Sequence, residues 1–288
     1  MSDARILDRG YRAYGGPRLG VTGAVRSLAW HSALRALGLR RPFWAKLLPL
    51  SSVGIAYVPA LVFVGIAALI PRQLTDQVGL IPRYADYYGF ISAAIVIFVA
   101  LVGPEVLCPD RRNRMLGLYL ASPLTRGTYL AAKVLAVVPV LALVTLGPPL
   151  LLLVGLTVAE AGPADPIAFV VVLGRIVAGG LAISAAYTAV SLAAASLTER
   201  RAIASAGVIL VLLVSAAATA TAVGLGGSER FLLLNLSFVP YELVQRIYGQ
   251  VGGAPVLSTL EVVGANLGWT VAASALVWER YHHLRITR

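Results

Sequence analysis

Lys46 and Lys133 are the only lysines in the chain, and each follows an alanine. A phosphate-cradling loop needs Gly-x-x-x-x-Gly-Lys-Ser/Thr, in which backbone N–H groups surround the phosphates and the lysine meets their charge, so the chain cannot hold ATP in that way. His-Glu-x-x-His, Gly-x-Ser-x-Gly and Asp-Gly are also missing. Their absence removes the usual signs of a zinc peptidase, a hydrolase elbow and an Asp-Gly phosphatidyltransferase. His31, His282 and His283 lie at the margins of apolar segments, and adjacent His282 and His283 project differently from one helix. A metal there would need ligands from elsewhere. Cys108 stands alone, which excludes an internal disulfide and reads as a small apolar filler.

The remaining candidates are charges embedded in apolar sequence, where an ionised group costs ~2.5–3.5 kcal/mol or more unless it is compensated. Arg175 lies about nine residues, ~13 Å, inside its apolar stretch, counted from the end near residue 167. Glu261 lies about five residues in from the same side, so the two could meet if their helices are neighbours. Such a pair would be either a structural salt bridge or part of a transport path. Glu105, at the other end of its stretch, is expected to pair with Arg111, Arg112 or Lys133.

The elements that position these residues are set by lipid. Of the 288 residues, 58% are hydrophobic and 13% charged, with a mean hydropathy of +0.82, too apolar for a soluble globule to keep a wettable surface. The predicted fold class is an all-α integral membrane protein. Six stretches are long enough to cross ~30 Å of hydrocarbon: Leu47 to Ile70, Tyr88 to Leu107, Val134 to Leu156, Ile167 to Ala195, Ala202 to Gly224 and Val256 to Trp278. Residues 1–46 read as a cytoplasmic tail followed by an amphipathic interfacial helix, and 47–288 as one transmembrane domain. In that first helix, Ala29, Trp30, Ala33, Leu34 and Leu37 recur at helical spacing opposite Ser27, His31, Arg35 and Gly38. It would lie in the headgroup layer or pack on the ends of other spans, with Arg40, Arg41 and Lys46 near anionic lipid. Residues 231–248 are apolar but broken at Pro240, which predicts one or two short helices dipping into the outer leaflet, with Gly226, Gly227, Gly252 and Gly253 as hinges. A seventh span is the competing reading. Small residues in spans four and five predict close packing inside the bundle or at a subunit interface.

The formal charge of +11 follows the ends of the spans and forms no single surface interleaved with aromatics, so nucleic acid is not an expected partner. Basic residues gather before the first span, around the connection between spans two and three (Arg111, Arg112, Arg114, Arg126, Lys133), after span four (Arg200, Arg201) and after span six. The other side has Arg72, Arg83, Arg230 and Arg246. The positive-inside rule places both termini in the cytoplasm and the protein in the cytoplasmic membrane. The long polar lead-in before the first apolar run argues against a cleaved secretory leader.

From Gly103 the sequence runs GPEVLCPDRRNRMLGLYLASPLTRGTYLAAKVLA. A span ends, a charged segment follows, then a Leu-rich turn, Ser-Pro, an arginine, and a lysine that opens the next span. This resembles the second cytoplasmic connection of ABC-2 type transporter permeases. The matching elements are Asp110, Arg111 and Arg112; Leu116, Leu118 and Leu120; Ser122, Pro123 and Arg126; and Lys133. Where that family commonly has Gly-Thr, this chain has Arg114 and Met115.

The resemblance implies a dimeric exporter whose separate ATP-binding subunit holds ATP and magnesium, with no cofactor in this chain and membrane lipids around it. It makes the segment from about Asp110 to Leu120 a coupling helix bounded by Pro109 and Pro123. Leu116 and Leu120 would be apolar anchors, and Arg111, Arg112 and Arg114 polar contacts to the ATPase, with Met115 between. The plain alternative is a basic loop resting on headgroups. A polytopic lipid-modifying enzyme, an ion-coupled secondary transporter and a membrane anchor are the rival functions, separated by whether the chain acts alone or with an ATPase.

Overall fold

The computed structural model describes residues 16, 19–39 and 43–284. Nearly all of the expected tail, together with Arg40, Arg41, Pro42, Arg285 and Arg288, lies outside them. Every regular element among the described residues is a helix, with no strand. In order they form α1 (Gly20–Ala36), α2 (Phe43–Leu69), α3 (Arg72–Val78), α4 (Tyr87–Arg112), α5 (Leu116–Leu120), α6 (Arg126–Thr145), α7 (Gly147–Val158), α8 (Pro166–Leu197), α9 (Arg201–Gly224), a 3-10 turn (Glu229–Leu234), α10 (Phe238–Ile247) and α11 (Thr259–His283).

Six segments among the described residues are long and apolar enough to cross a bilayer: Pro49–Leu69, Tyr87–Arg112, Arg126–Val158, Pro166–Leu197, Arg201–Gly224 and Thr259–His283. The third is broken where α6 gives way to α7 at Leu146, just before Pro148 and Pro149, which cannot donate to the preceding turn.

α8 lies at the centre, packed against α4, α6, α9, α10 and α11. Its small residues allow this: Gly179, Gly180, Ala186 and Ala189 are buried, and a β-carbon at Gly180 would collide with Leu146. In span five the small residues Ala217, Ala218 and Ala220 of α9 face outward, so they do not pack inside this chain's own bundle.

α1 packs on α6 and α4 through Leu28, Ser32 and Ala36, while Trp30 is 63% exposed. The packing read from the sequence as one of two placements is present, with α1 lying against α6 and α4. The face is offset from the predicted stripe because Ser32 and Arg35 are drawn inward by charge.

At the opposite end, residues 231–248 contribute to two short helices, the 3-10 turn and α10, and Pro240 sits in the first turn of α10, where its missing N–H costs nothing. Glu242 of α10 is fully buried and accepts from Arg246 (3.0 Å) and from the backbone N–H groups of Gly252 (3.2 Å) and Gly253 (3.0 Å). Arg246 in turn donates to the carbonyls of Ala254 and Leu257. The Gly252–Gly253 turn expected as a hinge is therefore fastened, and at Gly252 a β-carbon would collide with the Glu242 carboxylate.

Candidate functional site

The connection between the second and third spans differs in shape from its predicted form. α4 runs on through Pro109 to Arg112, so Asp110 belongs to the span and Pro109 does not bound a coupling helix. The chain reverses at Asn113 and Arg114, and Arg114 adopts a left-handed φ of 53°. Gly-Thr there would place a glycine in the conformation that L side chains resist, and here an arginine bears it. Only Leu116–Leu120 form a short separate helix, and Ser122 donates back to the Tyr119 carbonyl (2.5 Å).

α6 begins earlier than hydropathy suggests because Thr125 and Thr128 form a reciprocal capping box. Lys133 consequently lies within α6, two turns in and fully buried, and does not open the span.

These shifts bring together residues far apart in the chain. Asp110, 1% exposed, sits 2.6 Å from Lys133 Nζ and 2.9 Å from Arg35. Tyr129 donates its hydroxyl to the Asp110 carboxylate (3.0 Å), and Lys133 donates to Ser32 (2.9 Å). Arg35 makes an ionic contact with the carboxylate and directs its hydrogen bond to the Val106 carbonyl (3.0 Å). One carboxylate thus serves two cations, and the surplus positive charge lies near aromatic faces, with Lys133 Nζ 5.1 Å from the Tyr129 ring centre and 5.7 Å from that of Tyr119. Tyr129 also stacks on Tyr281 of α11 at 5.8 Å. Burial, followed by the Asp110 charge, pushes the Tyr119 phenol above its ordinary range. The cluster ties α1, α4 and α6 into one unit.

Arg126, the arginine after Ser-Pro, donates to the carbonyls of His282 and Leu284 and so covers the exposed end of α11. Arg111 donates to the Ser196 carbonyl and lies 3.9 Å from Glu199, fastening α4 to the end of α8. Leu116 and Tyr119 turn toward the core, Met115 and Leu120 are half-buried, and Arg112, Arg114, Leu118, Ser122 and Pro123 are exposed. Leu118, part of the Leu-rich turn in the sequence but not expected as a contact, is at 66% exposure the most open large apolar side chain of the connection. Arg35, expected only on the polar face of the first helix, and Ser32, which carries no signal in the sequence, join the site when α1 docks.

The expected Arg175–Glu261 pair does not form. Glu261 closes a capping box with Ser258 at the start of α11 and pairs with Arg230 at 3.0 Å. Arg175 lies 5.9 Å from the Tyr248 ring centre, and α10, packed on both α8 and α11, explains the separation. Glu105 pairs with Arg201 (2.5 Å), not with the partners predicted for it, because the start of α9 crosses the end of α4. No group of three or more histidine, cysteine or acidic residues able to hold a metal occurs among the described residues.

Long apolar helices wound around a buried charge cluster, with a short basic connection projecting from one end, define a multi-pass helical membrane protein. A family model described as ABC-2 family transporter protein matches residues 47–278, and the chain belongs to that family. Comparison with curated proteins finds no match.

Proposed function

We propose that this chain is the permease subunit of an ATP-driven exporter, coupled to a separate ATP-binding subunit through the α4–α6 connection and paired with a second permease subunit. The observation that carries the reading is the division of labour within that connection. Its base is fastened to three helices through Asp110, Lys133 and Arg35, while Arg112, Arg114 and Leu118 stand out from the surface. A protruding contact on a rigid base transmits displacement to the spans, whereas a loose loop would absorb it. This sequence has no nucleotide loop, so in this reading the work comes from the ATP-binding subunit, where ATP and magnesium would be bound.

In this reading the end bearing the connection is cytoplasmic, as the distribution of arginines supports, and both termini lie there. ATP binding and hydrolysis in the partner would shift the two permease halves relative to each other, opening a central path inward and then outward. The outward small-residue face of α9 suits a helix of the second subunit.

Arg112→Glu combined with Leu118→Asp tests the proposal. The two side chains are exposed, so insertion and folding should persist, while stimulation of the co-purified ATPase in proteoliposomes should be lost. Wild-type stimulation in that variant would sink the assignment, as would a purified native complex without an ATP-binding subunit.

A further inference from the structure

The end of the bundle that carries the connection holds a second feature, separate from the charge cluster. Where α4 ends and α8 passes into α9, a cleft of about 1120 Å³ is lined by Arg111, Arg112, Arg200 and Arg201 against Glu105 and Glu199. Both glutamates are engaged, Glu105 with Arg201 and Glu199 near Arg111. No carboxylate among the described residues is within ion-pair distance of Arg112 or Arg200. α9 starts at this cleft without a side-chain cap, which leaves first-turn N–H groups and the positive end of the helix dipole toward it. The cleft is therefore built to attract an anion.

An apolar groove of about 500 Å³ opens directly from it. Its floor is α8, its walls are α9 and α11, and Trp269 and Leu236 line it further from the cleft. Leu197, Thr198 and Ile203 line both spaces, so the cleft and the groove are continuous. The groove has the volume of a small-ligand pocket, ~300–1,000 Å³, but almost no polar group. An occupant of both spaces must be anionic at one end and a long hydrocarbon at the other.

We infer that the cleft and groove together hold one anionic phospholipid of the surrounding bilayer, with its phosphate between Arg200 and the start of α9, and one acyl chain between α9 and α11. The cleft lies at the helix ends, where headgroups reside, and the groove follows the helices into the hydrocarbon. The site does not depend on the exporter reading, and its test uses the purified full chain without any ATPase.

Delipidated protein is titrated with phosphatidylglycerol or phosphatidylcholine of identical acyl chains, and bound lipid is read by native mass spectrometry. Phosphatidylglycerol should bind about fivefold tighter per arginine engaged. Arg200→Ala should reduce that preference, and Arg200→Lys should retain it. Gly207 lines the groove and a β-carbon there meets nothing within 4 Å, so Gly207→Leu should fold normally and weaken both lipids alike. Inorganic phosphate should not displace the bound lipid. Equal binding of the two lipids by the wild type, an unchanged preference in Arg200→Ala, or undiminished binding in Gly207→Leu would overturn the inference. Displacement by phosphate would do so too, marking a free-anion site, as would the absence of any bound lipid.

Discussion

Asp110 shows how one side chain can hold three helices together, meeting Arg35 of α1 and Lys133 of α6 from its place in α4. Two charges in a water-poor interior are costly, and removing one partner of a buried pair strands the other at ~3–5 kcal/mol. Asp110→Asn should therefore lower the thermal midpoint in detergent markedly, since Lys133 is fully buried with no second carboxylate among the described residues against it. Replacing both, as Asp110→Leu with Lys133→Met, should recover much of the loss, because an apolar pair carries no desolvation cost. Additive losses in that cycle would show that the two residues are not coupled. The surplus cation, Arg35, is 29% exposed and can reach water at the surface, so it tolerates the change better than Lys133.

Helix packing depends on where side chains are absent as much as on where they are present. Gly147, at the break between α6 and α7, faces Tyr57 of α2, whose hydroxyl donates to the Leu143 carbonyl at 3.0 Å. A β-carbon at Gly147 would collide with that hydroxyl, so Gly147→Ala should part α2 from α7 and reduce the yield of folded protein. Gly174, inside the first third of α8, faces open space, and Gly174→Ala should be neutral or stabilising by up to ~1 kcal/mol through helix propensity. Size-exclusion profiles and thermal unfolding of the two variants distinguish them, and equal behaviour would refute the packing account. Asp110 was already legible as part of a motif, and the six spans followed from length and hydropathy. Lys133 was misplaced because hydropathy begins a span at its apolar residues, whereas the α6 helix begins at its cap, Thr125.

At the scale of the molecule, the distribution of arginines and the two kinds of helix end predict orientation. In a Cys108→Ala background, Leu118→Cys should resist a membrane-impermeant thiol reagent in intact cells, and Val251→Cys, beside the Gly252–Gly253 turn at the opposite end, should react. Both positions are well exposed, at 66% and 61%, so the contrast reports sidedness and not burial. Labelling of Leu118→Cys from outside would reverse the orientation and remove the basis for coupling to a cytoplasmic ATPase.

The sequence alone determined that lipid is the solvent, where the chain crosses it, which connection carries the family's pattern, and that no nucleotide loop is available. These are one-dimensional properties: length, hydropathy and local motif. Tertiary structure alone decided that Asp110 joins Lys133 and Arg35, that Glu105 turns to Arg201, and that Arg175 and Glu261 stay apart behind α10. In water, the apolar stripe of a helix reveals its buried face, but in a bilayer both the lipid-facing and the packed faces are apolar. Periodicity then cannot say which helices are neighbours, and the partners of each charge are fixed only when the helices dock.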